Sequence, residues 1–455
     1  MRKKEKNMKQ LAILGGEPLF KEGQLPDEVK DMLKWPIITK EDEDAALDVI
    51  RNNSYSATDI TQKFEAEFAE WIGTKHAVAY CNGTMSIAAA MFGIGLSKGD
   101  EIICSTKTYW ASIVPASTFG ATAVFCDIDE NLSMDPEKIE QLISPKTKAI
   151  IAVHYVGYPC DMDKIMAIAK KHNLKVIEDV SHAQGGLYKG KRLGTFGDVA
   201  AMSLMSGKSF AAGELGIVVT DDRRIYERVL AYGHYDRNND RFITESEELF
   251  PYYHMALGGV KGRANQLCCA LARVQLKYYD ERCAEIRKAM NYFWDLLEGL
   301  PGIRAIRTDE STGCTMAGFY CAQGIYKPEE LHGLPVKVFA EAVARELGKP
   351  FYASTGANYP LHTHGFFKTF DFDGSGMPTR IANADRDVRE LDKNLGESER
   401  IQCFSVPWLK KYNKEWIEKI AECYKNVIEN HEALLSPEKD GVNQGGRWHG
   451  FTNMD

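Results

Sequence analysis

The chain predicts an α/β protein with a large, mostly parallel, helix-covered sheet and a smaller α+β unit after it. Three observations carry that expectation. Between about residues 76 and 220, seven short β-branched or apolar runs alternate with helical segments, which is the signature of βαβ units. After residue 222 the alternation gives way to longer helical stretches and a few short strands. At 455 residues the chain is long enough to expect two domains.

In order, the runs are "HAVAYCNG", "DEIICST", "ATAVFCDID", "KAIIAVHYVG", "LKVIEDVSHA", "DVAAMSLMS" and "GIVVTDD". Between the fourth and fifth, "DMDKIMAIAKKHN" offers Asp161 or Asp163 as N-cap, Ile165, Ile168 and Ala169 at helical spacing, and lysines in the last turn. "RRIYERVLAYGHY" predicts a helix, a polar insertion follows at about 236–253, and Ala264 to Leu300 reads as one long amphipathic helix. The remainder mixes strands such as "GIRAIR" and "MAGFYCA" with helices such as "VKVFAEAVAREL" and "KEWIEKIAECYKNVIEN". The expected units are an N-terminal segment (1–40) packing on the small domain, a large α/β domain (41–285), a small α+β domain (286–436) and a polar tail (437–455).

Composition narrows the function classes. With 44% hydrophobic and 26% charged residues the chain is an ordinary globular protein. A net charge of -8 supplies no field that would draw it to nucleic acid or anionic lipid. No stretch approaches the roughly 18 apolar residues of a membrane span, and the basic start "MRKKEKNMKQ" is followed by too few apolar residues for a signal peptide. A cytoplasmic location is the expectation. The 11 cysteines, with Cys268 and Cys269 adjacent and no C-x-x-C, predict reduced core residues rather than a disulfide framework or zinc ribbon.

In such sheets ligands sit beyond the carboxyl ends of the strands. After the first run, Gly83-Thr84-Met85-Ser86 opens a helix whose N–H groups and hydroxyl suit a phosphate; the same residues also suit a plain turn and N-cap. After the second run come Thr108, Tyr109 and Trp110, aromatics for stacking on a flat ring or for core packing. The fifth ends in Glu178, Asp179, Ser181 and His182. A carboxylate there needs a cap, a salt bridge or another cation, such as a protonated pyridine nitrogen. The sixth leads through Ser203 to Lys208 and the glycine-bearing "AAGELG". A lysine that forms a Schiff base must reach into a site with its pKa lowered. Singly each of these is weak; in this order they match a pyridoxal 5'-phosphate (PLP) site of fold type I.

The segments "NGTMSIAAA", "TKTYWASIVPASTFGATAVFCDID", "HYVGYPCDMDKIMAIAKKHNLKVIEDVSHAQGGLYKGKRLGTFGDVAAMSL", "SGKSFAAGELGIVVTDD" and "GRANQLCCALARVQL" resemble the DegT/DnrJ/EryC1/StrS family of PLP-dependent sugar aminotransferases, over roughly residues 10–435. The resemblance implies the PLP-dependent transferase fold of type I, with PLP bound covalently by Lys208 and its ring nitrogen facing Asp179. It implies Tyr109 stacked on the ring, His182 at the 3-oxygen, and Ser203, Gly83, Thr84 and the Met85 backbone at the phosphate. Many members complete the phosphate site with an Asn of the partner subunit in an "NYR" motif; here that position reads Lys261-Gly262-Arg263. The usual Gly-Glu-Gly-Gly after the lysine reads Gly213-Glu214-Leu215-Gly216, and the 236–253 insertion is longer than the family leads one to expect. Tyr55 and, in the "PLH" segment, His362 are expected substrate contacts. His362 and His364 lack a third ligand, and no metal is expected.

The implied reaction is a ping-pong transamination from L-glutamate or L-glutamine to a keto acceptor, in a homodimer with active sites at the subunit interface. "LAILGGEPLF" and "GKSFAAGE" resemble most the branch acting on keto-cyclitols such as scyllo-inosose, which also holds aminohydroxybenzoate-synthase-like members; keto-sugars remain open. The alternatives are a lyase or aldolase on the same fold, or a PLP-binding regulatory protein without turnover. The related dehydratases, which carry histidine in place of the lysine, are disfavoured by Lys208.

Overall fold

The computed structural model describes residues 10–356, 358–369 and 380–435; the basic start and the 437–455 tail lie outside them. All seven expected runs form strands: β1 (His76–Tyr80), β2 (Glu101–Ser105), β3 (Thr122–Cys126), β4 (Thr147–Val153), β5 (Lys175–Asp179), then, after the short hairpin of β6 (Leu187–Tyr188) and β7 (Lys191–Arg192), β8 (Val199–Ser203) and β9 (Gly216–Thr220). They join one sheet in the order β1-β9-β8-β5-β4-β2-β3. Only β9 runs against its neighbours; every other adjacent pair is parallel. The strands are buried almost throughout because helices cover both faces, which is why they read as continuous apolar runs rather than alternating ones.

The covering helices follow their sequence signals. Asp161 caps the helix Met162–His172 by accepting the Lys164 N–H, and Asn173 ends it in the left-handed conformation. The helix Arg223–Gly233 is capped by Asp222. The helix Gly83–Gly93 is apolar nearly all round and buried, as a helix wedged between the sheet and a second helix layer must be.

From the large sheet the 32-residue helix Gln266–Leu297 runs to a second, antiparallel sheet of β10 (Ile303–Ala305), β11 (Gln323–Tyr326) and β12 (Gln402–Ser405). The helices Val336–Leu347 and Lys414–Glu429 cover it, and Phe293, Trp294, Phe339, Phe404 and Tyr424 fill its core. Each such buried side chain contributes roughly 1.5–3 kcal/mol. The N-terminal segment lies against this sheet's helices: Phe20 N–H donates to Leu347 O (2.9 Å) and its ring meets Trp416.

One expectation is corrected. "MAGFYCA" is not a strand: Ala317, Phe319 and Cys321 take positive φ of 45, 47 and 56°, so the segment coils, and β11 begins only at Gln323. The polar insertion at 236–253 is packed against the large domain. Arg237 is buried in a two-bond ion pair with Glu65 (2.6 and 2.8 Å), and a 3-10 helix spans Glu247–Tyr252. All 11 cysteines are free, as expected.

Candidate active site

Since β1, β2, β4, β5 and β8 point the same way, their carboxyl ends share one edge of the sheet. There the chain encloses a cavity of about 570 Å³. Gly83, Thr84, Tyr109, Asp179, His182, Ser203 and Lys208 all line it.

At the end of β1, Asn82 caps the helix Gly83–Gly93. Its Oδ1 accepts the Met85 N–H (2.9 Å) and its carbonyl the Ser86 N–H (3.1 Å). The turn's first two amides, Gly83 and Thr84, belong to cavity residues at the positive end of a helix, a ready anion site. Gly83 permits this: a Cβ on it would lie 2.5 Å from Ser203 Cβ at the end of β8.

Along β5, successive side chains face opposite ways. Glu178 is fully buried on the far face, accepting N–H groups of Gly194, Phe196 and Gly197 and meeting His154 Nε2 at 3.1 Å. Burial would raise its carboxyl, but these donors hold it below the ordinary range. Asp179 faces the cavity. Ser112 Oγ donates to its Oδ2 (2.7 Å) and the Ser181 N–H to its Oδ1 (3.0 Å), which fixes the carboxylate's orientation while leaving lone pairs for a cation.

Lys208 sits in the loop between β8 and β9. Rungs beyond the strands tie that loop: Leu204 N–H to Leu215 O (2.8 Å), Ala212 N–H to Leu204 O (2.8 Å) and Ser206 N–H to Gly213 O (2.9 Å). Trp35 Nε1 donates to the Lys208 carbonyl (2.8 Å), and Lys208 Nζ lies 4.3 Å from the centre of the Tyr320 ring. Tyr320 in turn meets His182 edge-on, and His182 Nδ1 accepts the Val156 N–H (3.2 Å). Burial pushes the Tyr109 hydroxyl up. Leu215 points into the core and is fully buried. The geometry demands glycine at Gly216, whose Cβ would lie 2.3 Å from the Asn82 carbonyl oxygen.

Four other residues expected at the site do not line this chain's own cavity. Met85 packs against the core and its amide is taken by Asn82. Lys261 is exposed, beside Tyr235; next to it, Gly262 leaves room for the Tyr80 ring, 2.6 Å from where a Cβ would stand. Tyr55 is exposed at the end of the helix Lys40–Arg51. His362 is held behind the wall between Thr106 Oγ1 (2.7 Å) and Glu399 (3.0 Å). Conversely, Asn82, Ser112, Tyr155, Glu214, Tyr320, Cys321 and Asn358 line the cavity without having been singled out. Ser112 had a signal, a hydroxyl just after the Tyr109 strand end. Tyr320 and Asn358 come from a distant stretch of chain and had none. A second lysine beside the site, Lys107, donates its Nζ to the Ser398 and Ile401 carbonyls (3.1 and 3.2 Å); burial lowers its pKa, but it does not line the cavity. Among the described residues, His332, His431 and Glu432 come close enough to hold a metal, but their two imidazoles meet in an N···N contact of 2.9 Å.

A lysine amine, a cavity-facing carboxylate, an aromatic ring and a helix N-terminus with hydroxyls gather around one pocket, a donor set that fits a flat, phosphorylated, cationic ring such as PLP. The profile of the DegT/DnrJ/EryC1/StrS aminotransferase family matches residues 36–379. The chain is 39% identical over 233 residues to the GDP-perosamine synthase of Escherichia coli O157:H7, a match spanning 51% of this chain and 61% of that protein. It is 32% identical over 343 residues to the GDP-perosamine synthase of Vibrio cholerae, covering 72% and 88%. The solved structure of an aminotransferase from Psychrobacter cryohalolentis superimposes with a TM-score of 0.72 at 28% identity, covering 87% of this chain and 98% of that one. The protein belongs to the DegT/DnrJ/EryC1/StrS family and is a PLP-dependent aminotransferase of fold type I.

Proposed function

We propose that the protein transfers an amino group from L-glutamate or L-glutamine to the ketone of a polyhydroxylated ring, a keto-sugar or keto-cyclitol, in two half-reactions at this cavity. The observation that carries the reading is the convergence of Lys208 and Asp179 on one pocket. Bound PLP supplies the electron sink that lets an amino acid lose its Cα proton. The chain's own residues do the rest. The Gly83 and Thr84 amides, with the Thr84 and Ser203 hydroxyls, bind the phosphate, and the Tyr109 ring covers one face of the cofactor. Asp179, aimed by Ser112 and Ser181, keeps the ring nitrogen protonated. Lys208 anchors the cofactor; once a donor amine has displaced it, its Nζ takes the proton from the donor's Cα, and the reverse sequence aminates the acceptor. Asn82, Thr108, Ser181 and Asn358 line the same space, a polar wall that suits a polyol.

In this reading two copies associate in the cytoplasm and Lys261 of each completes the other's phosphate site. Its exposure, away from its own subunit's cavity, supports that arrangement.

Borohydride treatment of the PLP-loaded protein should fix the cofactor to the Lys208 peptide and not to that of Lys107; a label on another lysine, or no visible band with PLP supplied, overturns the reading. In PLP-loaded protein that has not been reduced, L-glutamate or L-glutamine should bleach the visible band. Donor consumption with nucleotide-linked keto-sugars set against keto-cyclitols separates the two acceptor classes, and a product other than an amine would point to a lyase.

A further inference from the structure

Lys208 Nζ does not merely reach the cavity; it lies over the face of the Tyr320 ring, 4.3 Å from its centre. That placement is built from several elements. The coil with positive φ at Ala317, Phe319 and Cys321 brings Tyr320 to the lysine from outside the large sheet. Gly318 lets the coil settle on the lysine loop, for a Cβ there would lie 2.3 Å from Ser209 Cβ. Trp408 Nε1 holds the Gly318 carbonyl (2.8 Å), and the Trp408 ring meets Tyr320 edge-on and tilts against Trp35. Trp35 donates to the Lys208 carbonyl (2.8 Å). One aromatic chain thus fixes both the lysine's backbone and the ring that its amine faces.

The face of an aromatic ring carries partial negative charge and attracts a cation, the more so where water is excluded; Lys208 is 8% exposed. We propose that Tyr320 is a catalytic residue whose ring face stabilises the ammonium form of Lys208, the form the lysine takes each time it receives a proton from the substrate's Cα. This rests on the role proposed above for Lys208. In that step the C–H electron pair stays with carbon, the proton goes to Nζ, and the neutral amine becomes an ammonium over the ring. Without the ring the amine is a weaker base.

The consequence is testable because two readouts move in opposite directions. In the protein stripped of PLP, Tyr320→Leu should lower the Lys208 amine pKa by about 0.5–1.5 units, so that added PLP couples faster at neutral pH. In the loaded enzyme the same variant should slow exchange of the donor's Cα proton with solvent by about 3- to 30-fold. A merely structural lesion would slow both. Tyr320→Phe keeps the ring face and should match wild type in both measurements. The other titratable groups on the cavity, Tyr109, Tyr155, Asp179, His182, Glu214 and Cys321, are common to all three proteins. An unchanged amine pKa in Tyr320→Leu, coupling that slows with exchange, or Tyr320→Phe behaving like Tyr320→Leu overturns the proposal. If the wild-type protein itself forms no visible band on Lys208, it is the assignment of Lys208 that falls.

Discussion

Glu178 and Asp179 are neighbours in sequence and do opposite work. One is locked by three backbone amides and His154 on the buried face of β5; the other turns its carboxylate to the cavity. The sequence showed two acids at a strand end, but choosing between them required the strand's phase. Lys208, Asp179 and the Gly83-Thr84 turn were legible because strand ends mark the edge where ligands sit. Tyr320 was not, since its approach to Lys208 depends on a coil more than a hundred residues later. Gly83 carries the sharpest residue-scale prediction. In Gly83→Ala the new Cβ would lie 2.5 Å from Ser203 Cβ, forcing the helix start away from β8 at about 1–3 kcal/mol. PLP affinity should fall at least about tenfold with the fold retained, measured by titrating the visible band beside a thermal melt; unchanged affinity would show that the two strand ends have slack.

Among the elements, the strands of the large sheet were the easiest to read, because burial on both faces makes them unbroken apolar runs. "MAGFYCA" is also apolar but holds no β-branched residue and coils, since its turn depends on positive φ at alanine, phenylalanine and cysteine, residues that do not announce it. The turn after β3 makes a pH prediction. Asp129 accepts the N–H groups of Asn131 and Ser133 (2.8 and 3.0 Å), but burial raises its pKa from the ordinary 3.8 to about 6. The folded protein therefore holds this proton more tightly than the unfolded chain. The stability it contributes is present below about pH 4 and is lost as the pH rises through about 6. Asp129→Asn keeps an oxygen for both amides and removes the charge. Denaturant melts between pH 4 and 7 should show that the variant lacks this decline; parallel curves for the two proteins would contradict it.

At the scale of the whole molecule, the helix Gln266–Leu297 and the N-terminal segment join the two sheets, and the Tyr320 coil crosses from one to the other. The paired subunits proposed above can be checked by mixing. Lys208→Ala and Lys261→Ala, each impaired alone, should on subunit exchange recover roughly a quarter of wild-type activity, because a mixed pair holds one intact site. No recovery, with light scattering showing mixed pairs, would remove Lys261 from the neighbouring site. The rungs on either side of the Lys208 loop have a mechanical meaning as well. They make the backbone at Lys208 a fixed fulcrum, and the side chain a lever whose tip alone travels between cofactor and substrate. A change of substrate can then come from rebuilding what the tip meets, while the pivot and the stroke stay as they are.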